Sequence, residues 1–119
     1  MKNQNNPALL NDLSKYIDKE KILEALIVQL EKDTGLDYTK VTIPEDINSF
    51  IEKLKEDLKF YLNKTASQNQ TKFMNLIYRV DIPQSKISKI EMDESYFDNL
   101  AGLVLNRLFQ KTITKMFYK

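Results

Sequence analysis

Four cations recur every fourth residue near the end of this chain: Arg107, Lys111, Lys115 and Lys119, with no acid after Asp98. Side chains four apart on an α-helix drift by about 40°, so the four form one ridge. Such a ridge has two readings. It can grip the phosphates of RNA or DNA, with Phe117 or Tyr118 as a stacking surface. It can also be the ordinary gathering of cations at a helix C-terminus, where the macrodipole favours them. The second is the expectation, because four charges are few and no glycine-rich or groove-reading motif accompanies them. Nucleic acid is therefore not the expected partner, and weak nucleic-acid or anion binding through the ridge is the alternative.

Arginine is rare: Arg79 and Arg107 stand against sixteen lysines. A retained arginine suggests a place that needs a planar, bidentate donor. Arg79 sits in Tyr78-Arg79-Val80-Asp81, just ahead of Pro83. The expectation is an ion pair with Asp81, Glu91 or Asp98; a contact with an anion or a partner's carboxylate is the alternative. Arg79, Arg107, Lys111 and Lys115 are thus the candidate contacts to a partner or anion.

Catalytic chemistry has little to stand on. The chain has no histidine, cysteine or tryptophan. None of its serines has a histidine to activate it, and no Ser-x-x-Lys motif occurs. Glu91, Asp93, Glu94 and Asp98 form an acidic cluster, but it lacks the alternating ligands and central glycine of a calcium loop. Acids at a helix start are expected from the dipole alone. Asp33-Thr34-Gly35-Leu36-Asp37 is explained by Gly35 as a helix stop. No cofactor loop or metal-ligand set is recognisable, so neither a cofactor nor a metal is expected. A carboxylate pair of the glycosidase type remains the enzymatic reading, though a small helical domain seldom holds the cleft it needs.

These residues need elements to position them. A chain of 119 residues, 42% hydrophobic and 10% aromatic, has the size and core of one domain. Two glycines and three prolines are too few for a turn-rich sandwich or barrel. The net charge of +1 conceals an asymmetry: residues 1–60 sum to about −3 and residues 61–119 to about +4, enough to steer a partner. The polar start, Met1 to Asn6, opens no signal peptide, and Ile22 to Leu30 is too short to cross a bilayer. A cytoplasmic protein without membrane contact is the default expectation.

Periodicity then predicts helices. Asn6-Pro7 opens a short one over 7–16, carrying Leu9, Leu10 and Leu13. Asp18 caps a second to about Asp33, striped by Ile22, Leu23, Leu26, Ile27 and Leu30 and stopped by Gly35. Residues 36–43 read as an extended connector. Thr42-Ile43-Pro44-Glu45 has the form of a capping box for a helix to about Asn63, with Ile47, Phe50, Ile51, Leu54, Leu58, Tyr61 and Leu62 on one face. Residues 63–71 form a polar break, followed by a helix over about 68–80 bearing Phe73, Met74, Leu76, Ile77 and Val80. Pro83 ends it by Asp81. Residues 84–91 are left between one helical turn and loop. Asp93 caps the last helix, with Met92 stapled onto Phe97, and Leu105, Phe109, Ile113 and Met116 share its core face. The fold expected is all-α: a flexible 1–6, then one compact helical domain over 7–119. Four main helices and short helical segments pack around the helix at 94–117.

Two segments, Ile77-Tyr78-Arg79-Val80-Asp81-Ile82-Pro83 and Leu100-Ala101-Gly102-Leu103-Val104-Leu105-Asn106-Arg107 followed by Phe109-Gln110-Lys111, resemble small all-helical proteins of Bacteroidetes bacteria. The likeness covers about the C-terminal 45 residues and implies no activity. What it does is raise Tyr78, Arg79, Asp81, Arg107 and Gln110 as the positions to examine first, with Tyr78, Arg79, Asp81 and Gln110 as the candidate structural polar cluster. By elimination the function expected is a non-catalytic interaction or assembly protein, acting on an unidentified protein partner or on itself as a homodimer.

Overall fold

A computed structural model describes residues 19–117. The segment 1–18, with its expected helix over 7–16 and the Asp18 cap, lies outside the described residues, as do Tyr118 and Lys119. Five α-helices follow one another: α1 (Lys19–Thr34), α2 (Ile47–Gln68), α3 (Gln70–Val80), α4 (Gln84–Ile87) and α5 (Tyr96–Phe117). No strand occurs among the described residues, so the described fold is all-α. No described helix is long and apolar enough to cross a membrane.

Each long helix forms because its apolar residues recur at helical spacing and meet a common interior. α1 buries Ile22, Leu23, Leu26 and Leu30; α2 buries Phe50, Ile51, Leu54, Leu58 and Leu62; α3 buries Phe73, Leu76, Ile77 and Val80. α5 lies against all three, most extensively against α2 and then α1, and contributes Leu100, Ala101, Val104, Leu105, Leu108 and Phe109 to the core. Ile113 and Met116 pack at its edge. The last long helix is therefore the hub of the described fold.

The ends of the helices are set by local chemistry. Gly35, at φ +86°, closes α1 by donating its amide to Glu31. The connector after it is neither helix nor strand. Instead of running extended throughout, it turns at residues 39–40, where the Val41 amide donates to the Tyr38 carbonyl (3.0 Å), and Tyr38 pins it down. The Tyr38 amide donates to Glu31 (2.6 Å) and the phenol to Asp57 (2.6 Å) on α2. Burial, with the Asp57 carboxylate beside it, pushes the phenol well above its usual range, so it stays a donor.

Five local expectations are corrected. Asp46, not the Thr42–Glu45 box, caps α2: its carboxylate accepts from the Ser49 amide (3.2 Å) and hydroxyl (2.7 Å). Aspartate is the stronger cap, and its partner three residues on can answer it. The break expected over 63–71 shrinks to Asn69, because Leu62, Thr65 and Ala66 extend the core-facing stripe of α2 through a stretch of polar composition. Met74 is half exposed, one residue out of step with the Phe73–Ile77 face. Met92 does not staple onto Phe97 but is 84% exposed. The Phe97 ring instead meets Tyr96 and Phe73 edge-on, at 5.0 and 6.5 Å. Asp93 does not cap the last helix: it accepts from the Ser95 amide and hydroxyl in a turn, and the helix starts beyond it at Tyr96. Residues 84–87 do form one helical turn.

Two outcomes follow from this arrangement. Phe109→Ala removes a fully buried ring from the hub and should lower unfolding free energy by about 3–5 kcal/mol in urea titration. The Asp37, Asp46 and Asp93 carboxylates are held below their ordinary range by hydrogen bonds from Thr39, Ser49 and Ser95 respectively. Their contribution is complete above the ordinary aspartate value of about 3.9 and disappears as pH falls through the lower folded values. Asp46→Asn, which keeps the cap but cannot titrate, should melt with a shallower acid limb below pH about 4; an unchanged limb counts against this cap.

Candidate functional site

The residues singled out by type and spacing converge where α1 and α3 end against the second half of α5. The last carbonyls of a helix have no partner within it and carry the negative end of its dipole. α1 ends at Asp33-Thr34 and α3 at Arg79-Val80, with Asp81 as a left-handed cap at φ 68°. Aspartate tolerates that conformation better than most residues, and here its carboxylate has a use.

Arg107 on α5 donates through Nε to the Asp81 main-chain oxygen (3.0 Å) and through a terminal nitrogen to the Asp81 carboxylate (3.2 Å). One turn on, Lys111 Nζ lies 2.7 Å from Asp33 Oδ2 and 2.8 Å from the Arg79 carbonyl. Another turn on, Lys115 Nζ donates to Gln29 Oε1 (2.6 Å). Gln29 passes the chain back by donating Nε2 to the same Asp33 oxygen (3.0 Å). Arg79 closes the set, its Nε donating to the Asp33 carbonyl (3.1 Å). The ridge is real, and its three described members turn inward onto helix ends.

The expected acid contact of Arg79 is therefore corrected. Among the described residues no ion pair joins it to Asp81, Glu91 or Asp98; Arg107 has taken Asp81, and Arg79 reaches a main-chain oxygen. Asp98 faces Lys55 of α2 at 3.7 Å, on another part of the surface. Tyr78 stays out of the cluster, with 86% of its surface exposed. Asp33 and Gln29, both buried, were not among the residues expected here. Their signal was present, since both sit on the stripe of Leu26 and Leu30, and a polar pair on an apolar stripe needs partners.

Beside this clasp lies a recess of about 260 Å³, walled by Asp81, Lys86, Asn106, Arg107 and Gln110 over an apolar floor that includes Ile82 and Leu103. The side chains of Lys86, Asn106 and Gln110 make no hydrogen bond or ion pair with any described residue. Arg107 has spent two of its five N–H donors on Asp81. A second hollow, of about 360 Å³, shares Lys86 and Leu103 with the first and continues toward Glu91 and Asp93. The first recess therefore sets an ammonium, part of a guanidinium and two amides against one carboxylate, Asp81, that Arg107 already engages, and with its apolar contact this suits a carboxylate on an apolar stem. No group of three or more acids stands close enough to hold a metal among the described residues.

Comparison with protein-family models, with curated proteins and with solved structures finds no match to this chain.

The clasp makes a sharp stability prediction. The side chain of Asp33 is 5% exposed and that of Lys111 19%. Lys111→Met leaves a buried carboxylate with only Gln29 and should cost about 3–5 kcal/mol by chemical denaturation. Asp33→Asn in the Lys111→Met background should recover part of that loss. Arg107→Met, which breaks an exposed pair, should cost about 1 kcal/mol or less.

Proposed function

We propose that this chain is a non-catalytic helical interaction protein, a single bundle of its four long helices around α5, and that its binding surface is the recess between Asp81 and Gln110. The partner we infer is a protein segment that presents a carboxylate. One observation carries the reading: Lys86, Asn106 and Gln110 converge on the recess with no partner inside the molecule. Side chains that converge on a concave surface without internal partners are available to a ligand at no loss of existing contacts. The absence of histidine and cysteine supports binding over catalysis.

The rival reading, nucleic acid on the cationic ridge, loses support from the same geometry. Arg107, Lys111 and Lys115 would have to give up Asp81, Asp33 and Gln29 to reach phosphates. The likeness of the two C-terminal segments to Bacteroidetes proteins and a cytoplasmic setting belong to this proposal as well, and rest on composition and pattern alone.

Affinity capture from the native host tests the reading, with light scattering on the purified chain to identify a homodimer. Lys86→Glu combined with Gln110→Ala should abolish capture of a partner, or self-association, while leaving the circular-dichroism melt unchanged. Capture that survives this double variant, or that depends on Lys115 and weakens with salt as phosphate binding does, would overturn the recess as the binding surface.

A further inference from the structure

A further concavity, about 370 Å³, lies at the turn where α2 passes into α3. Its walls are Tyr61, Lys64, Thr65, Gln68, Asn69 and Lys72, without a carboxylate among them. Neither Lys64 nor Lys72 pairs with an acid among the described residues. Lys72 stands over the Tyr61 ring, 5.7 Å from its centroid, which holds the ammonium at the rim. Asn69 uses its side-chain oxygen to cap the Lys72 amide, so its amide nitrogen is left over as a donor.

Thr65 is the decisive residue. It is 5% exposed, as buried as Thr34 and Thr112. Those two donate their hydroxyls to the carbonyl four residues back, Leu30 and Leu108, as helical threonines do. Thr65 makes no such bond, and its hydroxyl has no partner among the described residues. No fully buried side-chain oxygen or nitrogen among the described residues lacks a partner, so the Thr65 hydroxyl keeps some access, and the concavity is the hollow that Thr65 lines. A donor is thereby set beside two ammonium groups and two side-chain amides.

We propose that this concavity is an oxyanion site for a phosphate-type group, contacted by Lys64, Lys72 and the Thr65 hydroxyl. Every polar group on its walls can donate a hydrogen bond, and its charge is +2, which selects a dianion over a neutral ligand. The volume exceeds a bare phosphate, and the Tyr61 ring offers a face to an organic substituent, so both free phosphate and a phosphomonoester fit the chemistry. This site is separate from the recess at Gln110 and stands or falls independently of it.

The test is an amide NMR titration of the full chain with inorganic phosphate, and in parallel with phenyl phosphate, at constant ionic strength. Saturable shifts are expected at residues 64–72 with residues 107–115 unmoved. Lys64→Gln combined with Lys72→Gln should weaken binding at least about tenfold. Thr65→Val should weaken it about fivefold at an unchanged melting temperature, since the hydroxyl has no internal partner to lose, and Thr65→Ser should restore it. Tighter binding of phenyl phosphate assigns the ester, and the reverse assigns the free ion. Shifts that fail to saturate, that spread over all the lysines, or that persist unchanged in the double lysine variant or in Thr65→Val overturn the site.

Discussion

Lysine 111 reaches across from α5 to the end of α1, where the Asp33 carboxylate is buried, and in the same reach touches the Arg79 carbonyl at the end of α3. The arrangement of the other polar groups follows from that contact. With Lys115 on Gln29 and Lys111 on Asp33, the later residue of α5 meets the earlier residue of α1, so the two helices run antiparallel. A buried carboxylate without a cation would be expensive, and an ammonium without acceptors equally so. Held together, with Gln29 as a second donor, each side chain fixes the rotation of its own helix as well as its neighbour's.

The cationic ridge was expected to answer the dipole of its own helix. It answers those of two neighbours instead. Arg107 and Lys111 each donate to a main-chain oxygen at the end of α3, while Arg79 does the same for α1. Helix ends that would otherwise rely on water are closed by side chains distant in sequence. The charge asymmetry between the two halves of the chain acquires a meaning here too. Part of what reads as a steering field is consumed inside the molecule, where acid of the first half meets base of the second. Lys64, Lys72, Lys86 and Lys89 are among the lysines left over, and these four line the concave surfaces.

The long helices were legible because burial on one side imposes a period that no other structure shares. Gly35 and Pro83 were legible as stops because the conformations they allow are few. The end of α2 was not, since Asn63 to Gln68 look polar while Thr65 and Ala66 quietly continue the inward face. Met92 and Met74 misled because an apolar residue near a helix is not bound to pack on it. For the site, the ridge and Arg79, Asp81, Arg107 and Gln110 were found as types, yet their pairing was not. Which cation meets which carbonyl depends on how helices cross, and spacing within one helix holds no record of that. Asp33 and Gln29 were overlooked for the opposite reason: they were read for chemistry toward solvent, or not at all, when their position on an apolar face pointed inward.

The Asp33–Lys111 contact spans 78 residues of chain, enclosing α2, α3 and α4 in one large loop. Closing a loop of that size is entropically unfavourable, but the penalty grows only logarithmically with length. The α2–α3 hairpin, joined by the single residue Asn69, faces almost none of it. The clasp is thus a contact that no local segment can make for itself: it exists only when every element between α1 and the second half of α5 is in place, whereas the α2–α3 hairpin needs nothing beyond its own residues.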